Sequence, residues 1–171
     1  MAITLRRKSA KPTASPHGPV VTRLADCHVQ IRAHLAEALG LAGGAGSFEA
    51  RRASASAVAA YFGRALPLHA EDEDRSIAPL LGAEHGPLLD GLARDHADAE
   101  ACLAQLVPTW LRWSRGEAAP VTAAHRALVT QLDDLLRAHL ALEEAELFGA
   151  IDALAPELAA RVLAEMQARR A

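Results

Sequence analysis

The sequence predicts an all-α protein: an up-down-up-down four-helix bundle with a short C-terminal helix. Three observations carry that expectation. Ala, Leu and Arg dominate a chain that is 51% hydrophobic and only 4% aromatic, and Ala and Leu are strong helix formers. No run of β-branched residues suggests a strand. Apolar residues recur at steps of three and four through four long stretches, separated by connections bearing Gly or Pro. The 171 residues suffice for one domain with a full core.

The elements follow in order. Residues 1–20 are expected to be a flexible basic tail. The stretch to Thr22 carries Arg6, Arg7, Lys8 and Lys11 and no acid, and Pro12, Pro16, Gly18 and Pro19 oppose a long helix. It also lacks the apolar core of a secretory signal. Residues 21–171 are then the folded domain. A first helix over about 21–41 carries Leu24, His28, Ile31 and Leu35 on one line. Gly43, Gly44 and Gly46 end it, and Ser47 caps the next. A second helix over about 48–81 aligns Val58, Phe62, Leu66, His69, Glu73, Ile77 and Leu80, with Pro67 as a kink. Gly82, Gly86 and Pro87 mark a connection. The third helix aligns Leu89, Leu92, His96, Ala99, Leu103 and Leu106, and is expected to bend at Pro108. Residues 116–120 are a loop. The fourth helix aligns Leu128, Leu132, Leu135, His139, Glu143 and Leu147. Pro156 opens a terminal helix that ends near Arg169.

Charge and cysteine usage narrow the class. The formal net charge is −3, so no bulk attraction to nucleic acid or an anionic membrane is implied. No apolar run reaches the roughly 18 residues that a membrane span needs. Cys27 and Cys102 form no CxxC pair and are expected as free thiols in a reducing, cytoplasmic setting.

One spacing occurs twice. His69-Ala-Glu-Asp-Glu73 and His139-Leu-Ala-Leu-Glu143 each place a histidine four residues before a glutamate. On a helix such a pair is offset by about 40°, so imidazole and carboxylate project side by side. Each long helix also carries one histidine on its apolar line: His28, His69, His96 and His139. One buried histidine is usually a hydrogen-bonded core residue. Four of them with two buried glutamates would leave too many polar atoms needing partners. A metal cluster satisfies them together.

The helix directions agree. His69 and His96 lie about fourteen and twelve residues from the turn between them, and His96 and His139 about twenty-one and twenty from theirs. His28 and His69 match less well, at about seventeen and twenty-four. An exposed lead-in to the second helix, or a longer connection, would absorb the difference. Imidazole plus carboxylate without thiolate suits Fe, Mn or Zn. Six ligands exceed the four of a structural zinc site and fit two ions bridged by Glu73 and Glu143.

These residues resemble the hemerythrin-like family, the HHE cation-binding domains, in its bacterial form. The resemblance rests on Asp-Cys-His28-Val-Gln-Ile-Arg, on His69-x-x-x-Glu73 followed by Ile-Ala-Pro-Leu, and on Ala-Arg-Asp-His96. It continues through His139-x-x-x-Glu143-Glu144 with Leu147-Phe148 and the ending Ala-Glu-Met-Gln-Ala-Arg-Arg. It spans about residues 21 to 170. It implies a four-helix bundle holding an oxo- or hydroxo-bridged di-iron centre, with His28, His69, Glu73, His96, His139 and Glu143 as metal ligands. Oxygen-carrying hemerythrins are similar but have five histidines, with His-x-x-x-His in the third core helix and an Asp five residues after the last histidine. Here Glu100 stands at the second of those histidines, and Glu143 follows at spacing four. The chain therefore looks closer to relatives linked to oxidative or nitrosative stress and iron-centre repair.

The expected function is binding or redox handling of O2, NO or peroxide at a di-iron centre. An iron sensor, store or donor without turnover is the alternative. Small diatomic ligands or peroxide are the expected partners, with no nucleic acid and no membrane; a protein partner is not specified. Glu100 is read as an exposed helical residue, with a seventh ligand as the alternative, and Glu144 as solvent-facing or supporting a ligand. Tyr61 is read as core packing, with a gate as the alternative. Cys27, His17, His34, His85 and His125 are placed outside the site, and His125→Ala is expected to change neither metal content nor stability.

Overall fold

The structure, a computed structural model, describes residues 16–44, 46–117 and 119–171. Most of the basic tail expected at 1–20 therefore lies outside the described residues. Helix α1 (Pro19–Ala42) starts with proline in its first turn, where the missing N–H costs nothing. Gly18 N–H donates to Asp152 Oδ1, and His17 Nδ1 bonds Asp152 Oδ2, tying the start of α1 to the end of the fourth rod. Gly44 and Gly46 adopt φ of 74° and 90°, the left-handed region that glycine enters freely, and so reverse the chain. Ser47 Oγ then accepts the Ala50 N–H and caps α2.

The second rod is not one α-helix. It runs as α2 (Phe48–Ala60), a π turn at Tyr61–Ala65, α3 (Leu66–Glu71) and a second π turn at Asp72–Ile77. The kink expected at Pro67 is met here: proline cannot donate to the turn before it, and the ladder widens ahead of it. Short 3₁₀ turns at Ala78–Leu80 and Ala83–His85 lead into α4 (Gly86–Ser114), which continues through Pro108. Thr122 caps α5 (Ala123–Leu142) by accepting the His125 N–H. A third π turn, Glu143–Leu147, joins α5 to α6 (Phe148–Asp152), and α7 (Pro156–Ala168) closes the fold.

Around the bundle, α1 packs on α2 and α5, and α4 packs on the same two, giving the expected square of antiparallel neighbours. The poor match between His28 and His69 has a visible cause. α2 opens with an exposed lead-in, with Phe48 60% exposed at the rim of a groove shared with Arg51, Arg52 and Trp113. No helix among the described residues is long and apolar enough to cross a membrane.

The buried apolar residues form two separate clusters. One holds Ile31, Leu35, Phe62, Leu66, Leu103, Trp110, Leu136 and Leu140. The other holds Val20, Leu24, Ile77, Leu92, Leu147, Phe148, Val162 and Met166. Along each rod the order is apolar, polar, apolar: Leu24, His28, Ile31 on α1; Leu66, His69 and Glu73, Ile77 on the second rod. Leu92, His96, Ala99 on α4 repeat it, as do Leu136, His139 and Glu143, Leu147 on the fourth. A polar layer thus lies between two apolar ones.

Candidate metal centre

All six residues singled out in the sequence meet in that layer. Two overlapping groups form: His28, His69, Glu73 and Glu143, and Glu73, His96, His139 and Glu143, with the donor atoms of each within 4.8 Å of one another. Both glutamates belong to both groups, and each divides its oxygens between them. Glu73 Oε1 lies 3.3 Å from His69 Nε2, and Oε2 lies 3.2 Å from His96 Nε2. Glu143 Oε2 lies 3.0 Å from His28 Nε2, and Oε1 lies 2.9 Å from His139 Nε2. Five of the six are buried and His96 nearly so.

Those short approaches are not hydrogen bonds. The four Nε2 atoms and four carboxylate oxygens are buried without a partner in hydrogen-bond geometry among the described residues. Such groups are costly to leave unsatisfied. Lone pairs that converge on shared space, rather than on each other's protons, fit a cation.

The opposite ring nitrogens tell the same story. His28 Nδ1 lies 2.9 Å from Glu144 Oε1, His96 Nδ1 3.1 Å from Asp74 Oδ1, and His139 Nδ1 3.3 Å from Asp95 Oδ2. A carboxylate only accepts, so each Nδ1 donates, and in the neutral ring Nε2 is left as a lone pair facing inward. His69 differs: neither of its nitrogens has a hydrogen-bond partner among the described residues. Arg32 adds a second contact to Glu144 at 2.9 Å.

The electrostatics are those of two carboxylates crowded among imidazoles. Burial, with His28, His96 and His139 nearby, holds His69 neutral down to about 3, against partial support from Glu143. Burial and the adjacent Glu143 push Glu73 well above the usual carboxylate range. Burial would raise Glu143 too, but His139 and His28 outweigh it and hold Glu143 well below. Without a cation, one glutamate keeps a proton and the other is ionised.

The π turns explain how the glutamates reach the layer. The amide of Ala78 donates to Glu73 O, and that of Phe148 to Glu143 O, each spanning five residues. Both repeated motifs thus end on the residue whose carbonyl anchors a widened turn, a geometry enriched at functional sites.

A family model for the hemerythrin HHE cation-binding domain matches residues 20–151. The chain belongs to that family. No curated protein matches it. The hemerythrin HHE assignment bears out the resemblance read from the motifs, and with it a cation-binding protein.

In this hemerythrin HHE domain the remaining marked residues fall outside both groups. Glu100 is exposed but lines a cavity of ≈ 670 Å³ that runs to His69, His96 and His139. Tyr61 stacks on His34 and donates to Cys27 O at 3.4 Å, so it packs rather than gates. Burial pushes the Cys27 thiol up, which disfavours a thiolate, and both cysteines are free. His125 is buried against Trp113, with ring centroids 4.9 Å apart. That overturns the expectation that its removal is neutral for stability, because a half-apolar ring filling a core site leaves a cavity.

Sequence reasoning missed Asp74 and Asp95 as partners of ligand-line histidines. They stand off the apolar line, and the available signal was that each borders a site histidine or glutamate. Nor does sequence reasoning single out Asp72, in the acidic run Glu71-Asp72-Glu73-Asp74, where a solvated face would be ordinary. Asp72 is instead fully buried and gripped by Arg169 and Arg170.

Proposed function

We propose that this chain holds two iron ions between His28, His69, Glu73, His96, His139 and Glu143, bridged by the glutamates, and binds O2, NO or peroxide there. One observation carries the reading: the unpaired Nε2 and carboxylate atoms divide into two groups that share both glutamates, one oxygen apiece. Two imidazoles and two carboxylate oxygens in each group would suit iron. Bound iron would supply the ligand-binding and redox chemistry. The chain's own residues supply the rest. Asp74, Asp95 and Glu144 hold the Nδ1 protons and fix the ring planes. Ile31, Phe62, Leu66, Leu103 and Leu136 wall the cavity with hydrocarbon, a route a small uncharged molecule can take.

A second reading, an iron sensor, store or donor, is favoured by the acids at that cavity. Glu71, Asp74 and Glu100 line it, a setting that attracts cations.

Protein purified from iron-supplemented cells should carry about two iron atoms per chain, with ferric absorption in the near ultraviolet. One tight zinc, with no iron uptake by the metal-free chain, would overturn the reading. Azide or NO should change the iron spectrum. A spectrum that neither alters would favour the sensor, store or donor. Glu143→Ala and His69→Ala should lose iron, and Glu100→Gln should keep it.

A further inference from the structure

Helix α7 lies beyond the matched residues 20–151, yet the chain that leaves it grips the turn carrying Glu73. Asp72 is fully buried. Arg169 Nη1 donates to its Oδ1 at 2.8 Å, and Arg170 Nη2 to its Oδ2 at 2.6 Å. Arg169 Nη2 also donates to Ser76 Oγ at 2.6 Å. Asp72 and Ser76 stand towards the two ends of the π turn Asp72–Ile77, with Glu73 between them. The arginines therefore pin both ends of a widened turn that regular α-helical bonding does not hold. Charge-assisted bonds of this length are strong and directional.

Electrostatics demand the same clamp. Asp72, Glu73 and Asp74 are consecutive acids, and steps of about 100° send them three ways. Asp74 meets His96, Glu73 meets both donor groups, and Asp72 meets α7's arginines. Without Arg169 and Arg170, the Asp72 carboxylate would be buried with no counter-charge. The arginine stems are held in turn, because Val162 and Met166 of α7 are buried with Ile77, the last residue of the turn.

We infer that Arg169 and Arg170, acting through Asp72 and Ser76, are positioning residues for the Glu73 carboxylate. The inference rests on the reading of Glu73 as a metal ligand given above. Reciprocity follows: if the clamp favours the metal-competent turn, bound metal must steady the clamp.

The test is ferrous iron loading of the full chain, followed by competition with a chelator and by the near-ultraviolet spectrum. Asp72→Asn keeps the shape and removes the charge. It should hold iron about 10–100-fold more weakly, the range seen when a ligand's supporting partner is lost, with displaced absorption bands. Arg170→Met should behave likewise, and Arg170→Lys should recover part of the loss. Val58→Ala is the comparator: it opens a core site on α2 in the other apolar cluster, away from the clamp, and should keep iron affinity and spectrum. Two results would overturn the inference. Folded Asp72→Asn and Arg170→Met could both hold iron like the unaltered chain. Alternatively, Val58→Ala could lose iron as readily at an equal loss of melting temperature. Should Asp72→Asn fail to fold, the Arg170→Met and Arg170→Lys pair decides. An unaltered chain that takes up no iron removes the ligand reading itself, and this inference with it.

Discussion

At His96 and His139 the question of which ring nitrogen carries the proton is answered by Asp74 and Asp95. Those acids hold Nδ1–H and leave Nε2 directed at the glutamates. Asp74→Ala and Asp95→Ala should therefore weaken metal binding about 10–100-fold without changing the ligand set. Chelator competition measures it, and unaltered retention in both variants would refute the role. The pH dependence has a definite sign. In the metal-free protein Glu73 keeps a proton well above the usual carboxylate range, through burial and Glu143. His139 is also raised, since contacts with Glu143 and Asp95 outweigh its burial. Metal must displace both protons, so the metal-free state binds more of them than the loaded one. Apparent affinity then climbs as pH rises towards these raised values and flattens above them. Titration in lightly buffered solution at pH 5.5, below the ordinary histidine value and above that of a carboxylate, should show proton release on loading. No release there would contradict the assignment of Glu73 and His139. The candidate site itself was legible in the sequence because His28, His69, His96 and His139 interrupt apolar lines at helical spacing. Asp74 and Asp95 were not, because their histidine partners stand on other rods, which spacing along one helix does not report; Glu144 was legible as solvent-facing or supporting a ligand, but its partner His28 was not.

The elements were legible to within a residue or two where punctuation is chemical. Ser47 and Pro156 open their helices, and Gly43 closes α1. The π turns were not legible. Phe62, Leu66 and Ile77 keep an apolar period whether the turn between them spans four residues or five, and only Pro67 hinted at a break. His125 shows the converse failure. It stands far up the fourth helix from the repeated motif, yet it keeps step with Leu128 and Leu132, and α5 buries it near its start against Trp113. His125→Ala should cost about 1–3 kcal/mol of stability, in the ordinary range for a core truncation, while metal content stays unchanged. Urea unfolding with metal analysis checks both. Lost metal would mean that this end of the bundle reaches the centre.

For the molecule as described, the order apolar, polar, apolar along each rod keeps the two buried apolar clusters separate among the described residues. Loading should add about 2.7 kcal/mol to the unfolding free energy at a hundredfold excess over Kd, and the melting temperature should climb with the logarithm of free metal. Scanning calorimetry with and without chelator reads it, and a melting temperature indifferent to metal would sink it.

That layering bears on cooperativity. Domains unfold all-or-none when every part of the core depends on every other. Here the half built on Trp110 and Phe62 and the half built on Phe148 and Ile151 communicate through backbone and through polar atoms that lack partners of their own. Stripped of metal, each half can melt at its own temperature, as an independent unit. Were metal held as proposed, six side chains from four rods would share one set of bonds, and the halves would go together. The van't Hoff enthalpy of the loaded protein should equal its calorimetric enthalpy, and that of the stripped protein should fall below it. The cation would then act as the rivet that makes two small cores unfold as one.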